Sequence, residues 1–173
     1  MNPYQALISY KIRILNIFKE RRVIKFKKIL FPVSLTEISP KVVPYITSLA
    51  TSYDAEIHLL HVSHGFDQHI DTYITHTAKP DFKKMASHFE QELSTSAKSR
   101  LLAFRNKYFQ EFPNVKTTIV TGTHHKEILH YTEAEGIEMI VMGTGRGLST
   151  IFGSVAERVT KLSSIPVMII KTA

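Results

Sequence analysis

Residues 139–159 read M-I-V-M-G-T-G-R-G-L-S-T-I-F-G-S-V-A-E-R-V. The apolar run Met139–Met142 stops at Gly143, Gly145 and Gly147, and Gly153-Ser154 opens an amphipathic segment containing Val155, Ala156 and Val159. A buried strand that empties into a glycine-rich loop and then a helix start is an anion cradle in outline. Backbone N–H groups are free there, the helix dipole favours negative charge, and missing side chains admit phosphate oxygens. A plain strand-to-helix turn would give the same letters, so the flanking pattern has to decide.

Moving upstream, Gly136 is placed as the C′ residue of a helix from about His124 to Glu135, and Val115–Val120 reads as a strand ending at Thr121-Gly122. Before it, Phe82, Met85, Phe89, Leu93, Ala97, Leu101, Phe104 and Tyr108 recur every three or four residues, the buried stripe of a long helix opened by Pro80-Asp81. Ala55–Val62 and Lys28–Val33 read as short buried strands. Ser39-Pro40 between them supplies an N-cap and a first-turn proline for a helix to about Ser52. Downstream, Gly153–Leu162 is the last helix and Pro166–Ile170 a closing strand. Five apolar strands alternating with amphipathic helices predict an α/β fold: one doubly wound, five-stranded parallel sheet with helices on both faces. Its ligand crevice is expected outside the carboxyl ends of the strands, where Pro32-Val33-Ser34, Val62, Gly122 and the Gly143 loop converge.

Composition narrows the function. With no cysteine in 173 residues, disulfides, thiolate metal sites and thiol catalysis are excluded. No apolar run is long enough for a membrane-spanning helix, and a cytoplasmic protein is expected. The net charge is +7, and residues 1–28 carry all of it: eight basic residues against Glu20, leaving 14 basic and 14 acidic residues in the rest. A nucleic-acid-binding face on the domain is therefore not indicated. Residues 1–25 form a basic extension in which Leu7, Ile8, Ile12, Ile14, Leu15, Ile17 and Phe18 recur with helical spacing, suited to a peripheral membrane or protein contact. Residues 26–173 form the domain. The loop 63–79 holds His64, Asp67, His69, Asp71 and His76, but its spacings match no closed metal-ligand set. No nucleophile–base pair and no Walker-type Gly-Lys-Ser/Thr is present, so fast catalysis is not expected. His124-His125 is the one reactive-looking pair near the crevice; adenylation or phosphate transfer there is the weakest reading.

Several separate pieces resemble the universal stress protein family of UspA-type domains. Phe26–Val33 is similar to its opening K-K-I-L-x-P strand, and Leu59–Val62 to its second strand. Gly122–Ile128 with Glu135–Gly143 is similar to its third crossover, and Gly153–Val159 with Ile165–Val167 to its close. The resemblance implies a flavodoxin-like or Rossmann-like sheet of the adenine nucleotide alpha hydrolase type, a homodimer through the C-terminal strand 166–170, and a role in stress response. It also implies binding of ATP, with AMP or ADP beside it and Mg as an optional companion, and at most slow ATP hydrolysis. By position, Gly143, Gly145, Gly153 and Ser154 would take the phosphates, with Met142, Arg146 and Val155 beside them. Val62 would meet adenine through its backbone, and Pro32, Val33 and Ser34 would face adenine and ribose. The loop is three residues shorter between its outer glycines than the family's binding pattern, and Ser34 stands where that branch usually carries Asp. The alternative is a non-nucleotide-binding interaction module of the same fold, acting through its dimer surface or the basic extension.

Overall fold

The computed structural model describes residues 24–63, 80–144 and 153–172, with Gln5 alone before them; of residues 80–90 it describes the backbone. The elements are β1 (Lys28–Pro32), α1 (Ile38–Tyr53), β2 (Glu56–Ser63), α2 (Pro80–Tyr108), β3 (Val115–Thr121), α3 (His124–Glu135), β4 (Met139–Thr144), α4 (Ser154–Leu162) and β5 (Val167–Lys171). All strand pairs are parallel and the order is β3-β2-β1-β4-β5. This is the Rossmann-type order, of the flavodoxin-like and Rossmann-like sheets that the resemblance implied. It places the topological switch point beside β1, where the chain crosses from the β2 side of the sheet to the β4 side.

Each strand alternates its side chains between two cores. Ile29, Phe31, Ile57, Leu59 and Val141 meet Val42, Val43 and Ile46 of α1 and Leu101 and Phe104 of α2 on one face. Leu30, Leu60, Val62, Ile140 and Met142 meet Ile128 and Tyr131 of α3 and Ala156 and Val159 of α4 on the other. Burial on both faces is why these strands read as apolar runs rather than as alternating ones. After α2, Phe109 closes the first core, its ring centroid 6.1 Å from that of Phe104. α3 ends as expected on Gly136, at φ 63° and ψ 45°.

Three expectations need correction. Ser39 is not an N-cap: α1 begins at Ile38, and its N-cap Glu37 makes no side-chain cap bond. Thr36 does that work, its Oγ1 accepting from the Ile38 N–H at 3.4 Å and its carbonyl from the Ser39 N–H at 3.2 Å. Leu93 does not belong to the buried stripe of α2. Residues 91–96 are all exposed, Leu93 at 51%, and the helix meets the sheet from Ala97 onward. β4 runs past Met142 through Thr144, so the first glycine of the loop lies inside a strand. The expected amphipathic extension, the His/Asp loop, Gly145, Arg146, Gly147, and the side chains of Phe82, Met85 and Phe89 lie outside the described residues.

Candidate functional site

At the carboxyl edge of the sheet, where β1 parts from its neighbours, lies a cavity of about 270 Å³. Nine of the eleven residues that the sequence nominated line it: Pro32, Val33, Ser34, Val62, Met142, Gly143, Gly153, Ser154 and Val155. The other two, Gly145 and Arg146, lie outside the described residues. Residues from β1, β2, β4 and the start of α4, the outermost of them more than a hundred positions apart in sequence, thus share one pocket.

Each wall has a local cause. Gly143 faces α1: a Cβ there would stand 2.6 Å from Cγ2 of both Ile38 and Val42. Its bareness therefore lets the first turns of α1 press onto β4. Gly153 is the N-cap of α4 with φ 70° and ψ 148°, a backbone that L side chains rarely adopt, and its own carbonyl receives the Glu157 N–H at 3.0 Å. A Cβ at Gly153 would meet nothing within 4 Å, so backbone conformation rather than space demands the glycine. Thr144 is anchored to the chain end, its carbonyl accepting from the Thr172 N–H at 3.1 Å and from Thr172 Oγ1 at 2.8 Å.

The polar lining is made of hydroxyls and imidazoles. Ser34 Oγ lies 2.7 Å from Thr36 Oγ1 and 3.1 Å from Ser39 Oγ, a hydroxyl relay from the end of β1 into the first turn of α1. Ser39 left the cap position to serve this relay, and it is buried. His61 donates from Nδ1 to the Val33 carbonyl at 2.8 Å. Ser154, Thr144 and His124 complete the set. None of the described lining residues is Asp, Glu, Lys or Arg. Among the described residues no group of three or more His, Cys, Asp or Glu is placed to hold a metal ion. The arrangement can therefore bind a ligand through neutral hydrogen bonds and a helix start, and it presents no described carboxylate for general-base work.

Reasoning from sequence did not nominate Ile38, Ser39, His61, Ile128 or Thr144 for the site, and it gave His124 only the weakest reading, as half of a reactive-looking pair near the crevice. His61 had a visible signal: it is a polar residue next to Val62, after the apolar pair Leu59-Leu60 and near the carboxyl end of its strand. Ile38 and Ile128 had none, because only packing brings their helices to the cavity.

The model of the Universal stress protein family matches residues 25–171. Universal stress protein MJ0577 of Methanocaldococcus jannaschii is 28% identical over 156 residues, covering 86% of this chain and 96% of its own length. Its solved structure superposes with a TM-score of 0.71 at 26% identity, over 87% of this chain and 99% of that one. Universal stress protein YxiE of Bacillus subtilis is 26% identical, covering 84% of this chain and 99% of its own. The universal stress protein of Archaeoglobus fulgidus, solved in complex with dAMP, shares the fold at a TM-score of 0.59 and 16% identity, over 86% of this chain and all of that one.

Proposed function

The chain belongs to the universal stress protein family, and from that premise we propose that it binds an adenine nucleotide, ATP first, in the cavity at the carboxyl edge of its sheet. The observation that carries this reading is the convergence of Pro32–Ser34, Val62, Gly143 and Gly153–Val155 on one pocket at the switch point. Doubly wound sheets bind their ligands at that place. The dAMP complex of the Archaeoglobus fulgidus relative adds support, as an adenine nucleotide on the same fold.

In this reading the base lies against Val62 and Val33, and the ribose faces the Ser34 hydroxyl. The phosphates approach Gly143, the N–H groups at the start of α4, and Gly145 and Arg146. Ser34 makes a neutral bond where a carboxylate would make a charge-assisted one, which lowers affinity by roughly tenfold or more. Mg would arrive on the phosphates, since the described lining offers it hydroxyls and no carboxylate. The product of binding is a nucleotide-dependent state for stress response in the cytoplasm, with ATP hydrolysis slow at most. A homodimer through strand 166–170 completes the proposal, because among the described residues β5 is an edge strand with β4 as its one partner.

Mass spectrometry of nucleotide released from the purified full chain tests the site, with thermal melting in ATP and AMP beside it. Ligand at a hundred times its dissociation constant stabilises by about 2.7 kcal/mol, a readily measured rise in melting temperature. Ser154→Trp, at an exposed position on the cavity rim, is expected to abolish that rise while melting cooperatively. An empty parent that also gains nothing from millimolar ATP or AMP sinks the proposal and favours the interaction module.

A further inference from the structure

Beyond Pro32, strands β1 and β2 stay together for one more hydrogen bond and then part. The Val33 N–H donates to the Leu60 carbonyl at 2.7 Å, which turns Val33's own carbonyl toward β2. A regular parallel ladder would continue with the Val62 N–H on that carbonyl, then the residue 35 N–H on the Val62 carbonyl. Neither bond occurs among the described residues. Instead the Val33 carbonyl takes His61 Nδ1 at 2.8 Å, and Leu35, at φ 56°, turns the chain away. Arg100 of α2 holds that bend, donating from Nη2 to the Leu35 carbonyl at 3.0 Å. On the opposite side of β2 the Gly122 N–H reaches the Ser63 carbonyl at 2.9 Å. Alternate residues of β2 thus face alternate neighbours, and both backbone groups of Val62 face the side that β1 has left, where Val62 lines the cavity.

We infer that His61 is a positioning residue: by occupying the Val33 carbonyl it stops the β1–β2 ladder from closing one rung further. It thereby reserves the Val62 N–H and C=O for the edge of an adenine. A carbonyl only accepts, so the His61 Nδ1 carries the proton in this bond. The reserved pair is one donor beside one acceptor. Adenine matches it, accepting at N1 and donating from its N6 amine, whereas hypoxanthine donates at N1 and accepts at O6. The identity of the ligand rests on the nucleotide reading above; the open rung does not.

Two measurements on the full chain test this in the parent, His61→Phe and His61→Gln. The first is backbone amide exchange at Val62 by NMR, without ligand. Val62 is expected to exchange fast in the parent and to be slowed about tenfold or more in His61→Phe, where the Val33 carbonyl becomes free to accept it. In His61→Gln a side-chain amide can still donate to that carbonyl, and exchange should stay near the parent's. The second is the ratio of ITP to ATP dissociation constants, expected at about tenfold or more in the parent. It should collapse toward one in His61→Phe and return in His61→Gln. A merely structural role would weaken both nucleotides equally and leave the ratio alone. Unchanged Val62 exchange in His61→Phe, or one ratio in all three proteins, overturns the positioning role. A parent that binds neither nucleotide at millimolar concentration sinks the nucleotide reading and base recognition with it, so the two failures are distinct.

Discussion

His58 lies three residues before His61 on β2 but on the other face, buried at 1% exposure. Its Nδ1 is 3.0 Å from the Tyr131 hydroxyl, which is in turn 3.1 Å from Thr118 Oγ1. Among the described residues its Nε2 finds no hydrogen-bond partner, and the Glu56 carboxylate stands 3.5 Å from it. Lys116, paired with Glu135 at 2.7 Å, completes the charges around the ring. Burial holds the His58 pKa below its ordinary value; Glu56 pulls the other way, and Lys116 adds to the lowering. The unfolded chain therefore takes up a proton near pH 6.5 that the folded chain resists. The stability that neutral His58 confers is complete above that pH. It is lost as pH falls from about 6.5 toward the lowered folded value, with a slope of up to about 1.4 kcal/mol per pH unit. Urea midpoints at pH 7.5 and 5.5 should fall more steeply in the parent than in His58→Leu. Equal falls would remove His58 as the cause. The histidine was plain in the sequence, whereas its partners on β3 and α3 were not, since they lie 60 and 73 residues away along the chain.

Among elements, the contact of α1 with β4 sets the shape of the cavity. Ile38 and Val42 are β-branched, so their Cγ2 methyls cannot swing away from a side chain placed on Gly143. Gly143→Ala is expected to cost about 1–3 kcal/mol through overpacking. For a domain of this size each kcal/mol lowers the melting temperature by roughly 2–4 °C. An unaltered melting curve would mean that α1 shifts freely, and that Gly143 is not what sets its distance from β4. Gly143 was legible as a glycine at the end of a strand, the proper place for a phosphate loop. That the same glycine also seats a helix could not be read, because Ile38 and Val42 lie a hundred residues earlier. The same limit explains Ser39. A serine before proline at a helix start reads as a cap, but the Thr36 oxygens already receive the first N–H groups, which leaves Ser39 for the Ser34 relay.

Across the whole molecule, β5 leaves one backbone edge without a described strand partner. The Ile140 N–H donates to the Pro166 carbonyl and the Thr172 N–H to the Thr144 carbonyl, so even-numbered residues of β5 face β4 and Val167, Ile169 and Lys171 face outward. Ile169→Pro removes an outward N–H and spares the ladder with β4. Light scattering should show a dimer for the parent and a monomer for the variant, with circular dichroism confirming that the variant is folded. A monomeric parent at micromolar concentration would sink the proposed dimer. The sequence by itself determined the order of strands and helices and the parallel sheet, and it pointed to the carboxyl edge as the expected place for a site, because hydrophobic period and glycine placement are local. Only the tertiary structure decided the strand order, the neutral character of the described lining, and the parting of β1 from β2. Those follow from which distant side chains meet, and the His61 bond to Val33 is a contact that no local pattern encodes.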